Sequence, residues 1–114
     1  MNPMLIYKIF RADEWRALEA KGETLGAPID LTDGYVHFST AEQAAETATK
    51  YFAGVEGLML LAVEAEGCAD IKWEPSRGGA LFPHLYRALT LADVLWAKPL
   101  PIEGAGHRFP PEMQ

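Results

Sequence analysis

Short apolar runs alternate with polar, glycine-rich breaks along this chain, and the runs define its elements. Residues 4–10 (MLIYKIF) are apolar and rich in β-formers, which predicts a first strand. Residues 11–21 predict a helix, with Asp13 and Glu14 in the first turn, Trp15 and Leu18 on one face, and Gly22 as the stop. Residues 22–34 hold three glycines and a proline and read as a loop that ends in the Asp33-Gly34 turn. Residues 35–38 predict a short strand. Thr40 then caps a second helix, with Gln43 at capping-box spacing. Ala41, Ala44, Ala45, Ala48 and Phe52 recur at helical spacing as a smooth inner face, while Glu42, Glu46 and Lys50 point outward.

Residues 58–63 (LMLLAV) are apolar at every position, so both faces must be covered, as in a central strand. Residues 71–73 predict another short strand, 74–83 (EPSRGGALFP) a loop, and 85–91 and 94–97 two further strands. The tail from Pro99 carries four prolines and is expected to run along the surface. Strands accumulate after the helices, which predicts an α+β fold: a single compact domain, mainly antiparallel sheet with two helices.

Composition narrows the function classes. A chain of 114 residues suits one domain, 1–114, and 49% hydrophobic with 23% charged residues is ordinary globular usage. The net charge of -6, with Lys and Arg scattered, argues against a broad nucleic-acid surface. It leaves room for one small anion held by backbone N–H groups and an arginine. The single cysteine, Cys68, removes any disulfide framework or multi-cysteine zinc site. It follows Gly67 in an expected turn, with no base placed beside it. His37, His84 and His107 lack a local metal-ligand spacing, so no metal is expected. The opening residues lack the basic start and cleavage site of a signal peptide, and the longest apolar run falls well short of the roughly 20 residues of a membrane span. These features predict a cytoplasmic protein with no membrane partner, and leave the oligomeric state open. No glycine-rich fingerprint of the Rossmann or P-loop type is present.

Two stretches carry candidate chemistry. In DGYVHFST (33–40), alternation puts Tyr35, His37 and Ser39 on one face and Val36 and Phe38 on the other. The first face ends at the helix after Thr40, whose free N–H groups suit a phosphate or carboxylate. In WEPSRGGALFPHLYRAL (73–89), Phe82, His84 and Tyr86 form a second aromatic–histidine–aromatic face. Glu74 is a candidate general acid or base or ribose ligand, and Arg77, beside Gly78-Gly79, a candidate phosphate ligand. Two buried imidazoles need partners, which predicts one shared cleft lined by Tyr35, Tyr86 and Phe82 and rimmed by the second helix and the 74–83 loop. The alternative is that both histidines are satisfied core residues, Ser39 or Thr40 merely caps, and Arg77 is a solvated loop charge.

The motifs DLTDGYVHFSTAEQ and FPHLY, with the opening IYKI and the tryptophan of the first helix, resemble the DUF952 family of small bacterial proteins across nearly the whole chain. That resemblance implies a fold similar to the ADP-ribosyltransferase-like superfamily, which uses NAD or related ADP-ribose phosphates. By that likeness His37 takes the place of the first-strand histidine that contacts a ribose. Ser39 and Thr40 stand for the hydroxyl of its His-Gly-Ser/Thr signature, with Phe38 in place of the glycine. No late-strand glutamate is evident, since Glu74 falls in the expected loop and His84 is the better-placed strand residue. A His/His pair resembles the RNA 2'-phosphotransferase branch. The implied chemistry is binding or cleavage of NAD as substrate, with no certain cofactor. His37 would orient the ribose, Ser39 or Thr40 bond it, Arg77 pair with the diphosphate, and His84 or Glu74 stabilise developing charge. Tyr35, Phe82 and Tyr86 would line the site. The competing expectation is a non-catalytic ligand-binding or structural domain.

Overall fold

The computed structural model describes residues 4–66 and 69–113, the side chain of Arg77 excepted, so Cys68 lies outside the described residues. The first strand is β1 (Leu5–Phe10), followed by α1 (Ala12–Lys21) and β2 (Glu23–Thr24). Next come α2 (Pro28–Asp33), β3 (Val36–His37) and α3 (Ala41–Tyr51). The second half adds β4 (Leu58–Glu64), β5 (Ile71–Pro75), β6 (Leu81–Leu85), β7 (Leu89–Thr90), β8 (Val94–Leu100), β9 (Ile102–Glu103) and β10 (Gly106–His107). Among these residues no helix is long and apolar enough to cross a membrane.

One antiparallel sheet has the order β1-β4-β8, so the all-apolar run at 58–63 is the central strand that its composition demands. A second antiparallel sheet, β3-β6-β5, carries both histidine motifs. An antiparallel bridge between Tyr7 and Ser39 ties the two sheets. Alternation along β1 splits the core. Ile6 and Phe10 pack with Leu18, Val36, Phe38 and Leu85 on one side. Tyr7 and Ile9 pack with Ala44 and Ala48 on the other. Small side chains on α3 let that helix lie close to the sheet, as expected, although Ala45 turns outward.

Several expectations need correction. Among the described residues there are three α-helices, not two: α2 lies inside the stretch read as a loop. Its signals are Pro28 at the first turn, Asp30 accepting the Ala27 N–H at 2.7 Å, and Gly34 at φ 87 as the left-handed stop. Ile29 and Leu31 point to solvent, so this six-residue helix has no apolar face to betray it. The loop expected at 74–83 is a hairpin, in which β5 runs through Glu74 and Pro75 and β6 starts at Leu81. Pro75 is tolerated because β5 is an edge strand, and Pro83 still accepts the Phe38 N–H through its carbonyl at 2.9 Å. The strand expected at 85–91 breaks after Leu85, and β7 pairs with β2 instead. The tail from Pro99 does run along the surface, and it has structure of its own: β8 extends to Leu100, β9 pairs with β10, and Phe109 and Met113 pack against the core.

The break after Leu85 is held by Arg87. Its guanidinium donates to Asp93 at 2.8 and 3.0 Å and to Asp70 at 3.2 Å. Hydrogen bonds from Arg87, followed by those from Thr90 and aided by the Arg87 charge, outweigh partial burial and hold Asp93 at about 2. A carboxyl that ionises more readily in the folded chain than in the unfolded one stabilises the fold above the ordinary carboxylate range. That contribution is lost as pH falls through the folded value. Asp93→Asn is therefore expected to cost about 1–2 kcal/mol at pH 7. Urea titrations should show the gap to the parent chain closing between roughly pH 5 and 2.

Candidate functional site

Strand register brings the two histidines together. His37 on β3 is the direct cross-strand partner of His84 on β6, and Lys72 on β5 is the partner of His84 on its other side. Direct partners share a face. Tyr35 and Tyr86, two residues from these histidines, share it too. The imidazole centroids lie 5.2 Å apart, and the Tyr35 ring stacks on His84 at 4.2 Å and 22°. Tyr35 also meets His37 at 4.7 Å and Tyr86 at 5.0 Å.

Glu74 completes this cluster from β5. Its Oε1 accepts from His84 Nδ1 at 2.8 Å and from the Tyr86 hydroxyl at 2.6 Å. Hydrogen bonds from Tyr86 and then His84 hold the Glu74 carboxyl below its usual range. The same bond pushes Tyr86 up to about 12. Burial, with the charges of Asp33 and Glu74, raises Tyr35. An ionised carboxylate only accepts, so Nδ1 of His84 carries a proton. His84 is 2% exposed, and among the described residues its Nε2 is a buried side-chain atom with no hydrogen-bond partner.

His37 is held differently. Its Nδ1 lies 2.5 Å from Asp30 Oδ1, its Nε2 lies 3.0 Å from Asp33 Oδ2, and its backbone N–H also donates to Asp30. Asp30 is a buried hub: its other oxygen accepts from Lys8 Nζ and from Ala27 N–H, each at 2.7 Å. Burial pushes the Asp30 carboxyl up, but hydrogen bonds from His37 and the Lys8 charge outweigh it, leaving it below the usual range. Burial lowers the Lys8 amine despite Asp30. Gly26 is required beside this hub, since a Cβ there would stand 2.2 Å from Asp30 Oδ2.

The structure thus gathers His37, His84, Glu74, Tyr35 and Tyr86. Phe82 is buried opposite Glu74 on the hairpin. Ser39 and Thr40 have structural duties: the Ser39 main chain bridges to Tyr7, and the Thr40 hydroxyl accepts the Gln43 N–H at 3.2 Å to cap α3. Gln43 in turn donates to the Leu81 carbonyl at 2.8 Å, fixing the hairpin to the helix. Arg77 lies in a 3-10 turn, with its side chain outside the described residues. His107 sits on β10 against the Val55 carbonyl at 2.9 Å. The expected cleft takes a different form. The imidazoles are packed behind Tyr35, while an open cleft of about 300 Å³ lies beside them, between α2 and residues 85–87. Lys8, Asp30, Asp33 and Lys72 were not foreseen. Lys8, a lone charge within MLIYKIF, is the one with a readable signal, since a charge in a buried run requires a partner.

The comparisons with known proteins agree with this architecture. Residues 9–97 match the family model described as "Protein of unknown function (DUF952)". A crystal structure of protein CC0527 from Caulobacter crescentus is 51% identical, covering 90% of this chain and 91% of that one, with a TM-score of 0.86. The solution NMR structure of CC0527 gives a TM-score of 0.82 at the same identity, covering 90% of each chain. No curated protein matches the chain. With its family model spanning both histidine strands and the sheets that carry them, the chain belongs to the DUF952 family.

Proposed function

We propose that this protein binds NAD or a related ADP-ribose phosphate and cleaves its N-glycosidic bond, with His84 as the base. The supporting observation is the state of His84: Nδ1 fixed by Glu74, Nε2 buried and unpartnered. Buried polar atoms are almost always paired, and a histidine oriented by a carboxylate with its other nitrogen free is the arrangement of a general base. In the proposed reaction the bond between ribose C1' and nicotinamide breaks, and its electron pair leaves with the nicotinamide. Water oxygen bonds to C1' and its proton passes to Nε2. The carboxylates of Glu74, Asp30 and Asp33 favour the cationic transition state electrostatically. Glu74 lies on a strand, which supports giving it the part often taken by a strand glutamate in the ADP-ribosyltransferase-like superfamily, although β5 is a mid-chain strand and not a late one. Tyr35, stacked on His84, is the side chain that moves aside to admit the ligand.

A second reading is a non-catalytic ligand-binding or structural domain. It is favoured by His37, whose ring nitrogens are both held by carboxylates. Purified protein incubated with NAD and assayed chromatographically separates the two. Nicotinamide release supports catalysis. NAD that raises the melting temperature without release supports binding alone, since a ligand at 100 times its Kd stabilises by about 2.7 kcal/mol. The absence of both responses would rule out NAD as the ligand.

A further inference from the structure

The short helix before the first histidine strand is held by charge and not by packing. Asp30 is the buried residue of α2, while Ile29 and Leu31 are 57% and 59% exposed, so no apolar face seats the helix. The ion pairs that tie it to the rest of the chain run through two carboxylates: Asp30 to Lys8 and His37, and Asp33 to His37 Nε2. The two differ in how firmly they hold. Asp30 is sealed in and also receives two backbone N–H groups. Asp33 is half-exposed and stands at the C-terminal end of α2, where the helix dipole works against an acid.

The chain after Asp33 leads straight to the cluster. Gly34 ends α2 in the left-handed region, and Tyr35 lies in the bend before β3, outside the strand pairing. Its ring lies over His84, which stays buried beneath it. Each ring nitrogen of His37 faces a carboxylate, and a carboxylate only accepts, so both bonds require His37 to carry both protons. Around His37 stand Asp30 and Asp33 from α2, Tyr35 from the bend, His84 and Tyr86 from β6 and its end, and Glu74 and Lys72 from β5. Lys8 of β1 reaches it through Asp30, and Glu14 of α1 acts on Lys8. A His37 that gives up one proton keeps the one shared with Asp30, because that contact is shorter, buried and backed by the His37 N–H. The lone pair then faces Asp33, and attraction turns to repulsion.

We propose that the Asp33–His37 ion pair is a latch and Tyr35 the lid it holds over His84, with Gly34 as the swivel between them. Its bearing on catalysis rests on the reading of His84 as the base; the latch itself does not. The test is carbethoxylation by diethyl pyrocarbonate, which attacks accessible, unprotonated imidazole nitrogens, with the His84 peptide followed by mass spectrometry. Asp33→Ala should speed His84 modification about three- to tenfold at pH 7, the equivalent of one half-exposed, charge-assisted bond. Tyr35→Ala removes the lid outright and should speed it more. Hydrogen exchange in the central strand β4 should be unchanged in both variants, because the opening is local. Between roughly pH 7 and 9 the ratio of the Tyr35→Ala rate to the parent rate should fall as the latch releases, a comparison that cancels the titration of His84 itself. An Asp33→Ala rate within about twofold of the parent, or a flat ratio across that pH range, would overturn the latch. Tyr35→Ala without effect would overturn the lid. Exchange in β4 that accelerates in step with His84 modification would overturn both, since the exposure would then be global unfolding. A His84 rate that responds to both substitutions in a chain that releases no nicotinamide from NAD would leave the latch standing and sink the catalytic reading. Nicotinamide release with a His84 rate indifferent to both would do the reverse.

Discussion

Asp30→Asn should destabilise the protein by roughly 3–5 kcal/mol, the cost of breaking a buried ion pair from one side. Asp30 is 1% exposed, and its carboxylate receives a buried lysine, a histidine ring and two backbone N–H groups. The amide keeps the shape but loses the charge and one acceptor. Lys8, 7% exposed, then loses its ion-pair partner and keeps only the weaker pull of the Glu14 carboxylate. Urea denaturation at pH 7 measures the loss, and adding Lys8→Met to Asp30→Asn should recover much of it, because an apolar side chain needs no partner. The folded carboxyl sits below its ordinary range, so the stability it provides is complete above that range and is lost as pH falls through the folded value. The penalty of Asp30→Asn should accordingly shrink in acid. A loss under about 1 kcal/mol at pH 7 would mean that Lys8 finds another partner on substitution.

His84→Asn should keep the fold, at the cost of some ring packing, while lowering nicotinamide release by roughly 10²- to 10⁴-fold, the usual contribution of a general base. The two effects separate because of how the ring is held. The asparagine amide nitrogen stands where Nδ1 stood and can keep the bond to Glu74, whereas Nε2 makes no hydrogen bond that folding could lose. Thermal melts and steady-state rates on the same preparation check both halves. Release within threefold of the parent chain would remove His84 as the base. A stability loss of several kcal/mol would favour the structural reading of the cluster.

That His37 and His84 come together was legible in the sequence because two buried imidazoles between aromatics need partners, which one shared site supplies. The central position of residues 58–63 was legible from uniform apolarity, and the α3 cap from Thr40 and Gln43. The partners of the histidines were not. Glu74 precedes Pro75, which reads as a loop marker, although an edge strand tolerates proline. Asp30 and Asp33 belong to a helix with exposed apolar residues, so no periodicity announced it. Lys8 meets Asp30 only because the fold brings one residue of β1 within ion-pair reach of α2, a tertiary fact that no local pattern encodes.

The most direct measurement is a long-range proton–nitrogen NMR correlation of the imidazoles, recorded with and without NAD. The geometry places a proton on Nδ1 of His84, the proposed role as base requires an unprotonated Nε2, and NAD should shift the His84 nitrogens. The His107 ring, bonded to the Val55 carbonyl in the C-terminal hairpin, serves as the internal reference and should not move. His84 signals unchanged at saturating NAD, or a proton found on Nε2 in the free protein, would contradict the assignment of His84 as the group that meets the substrate.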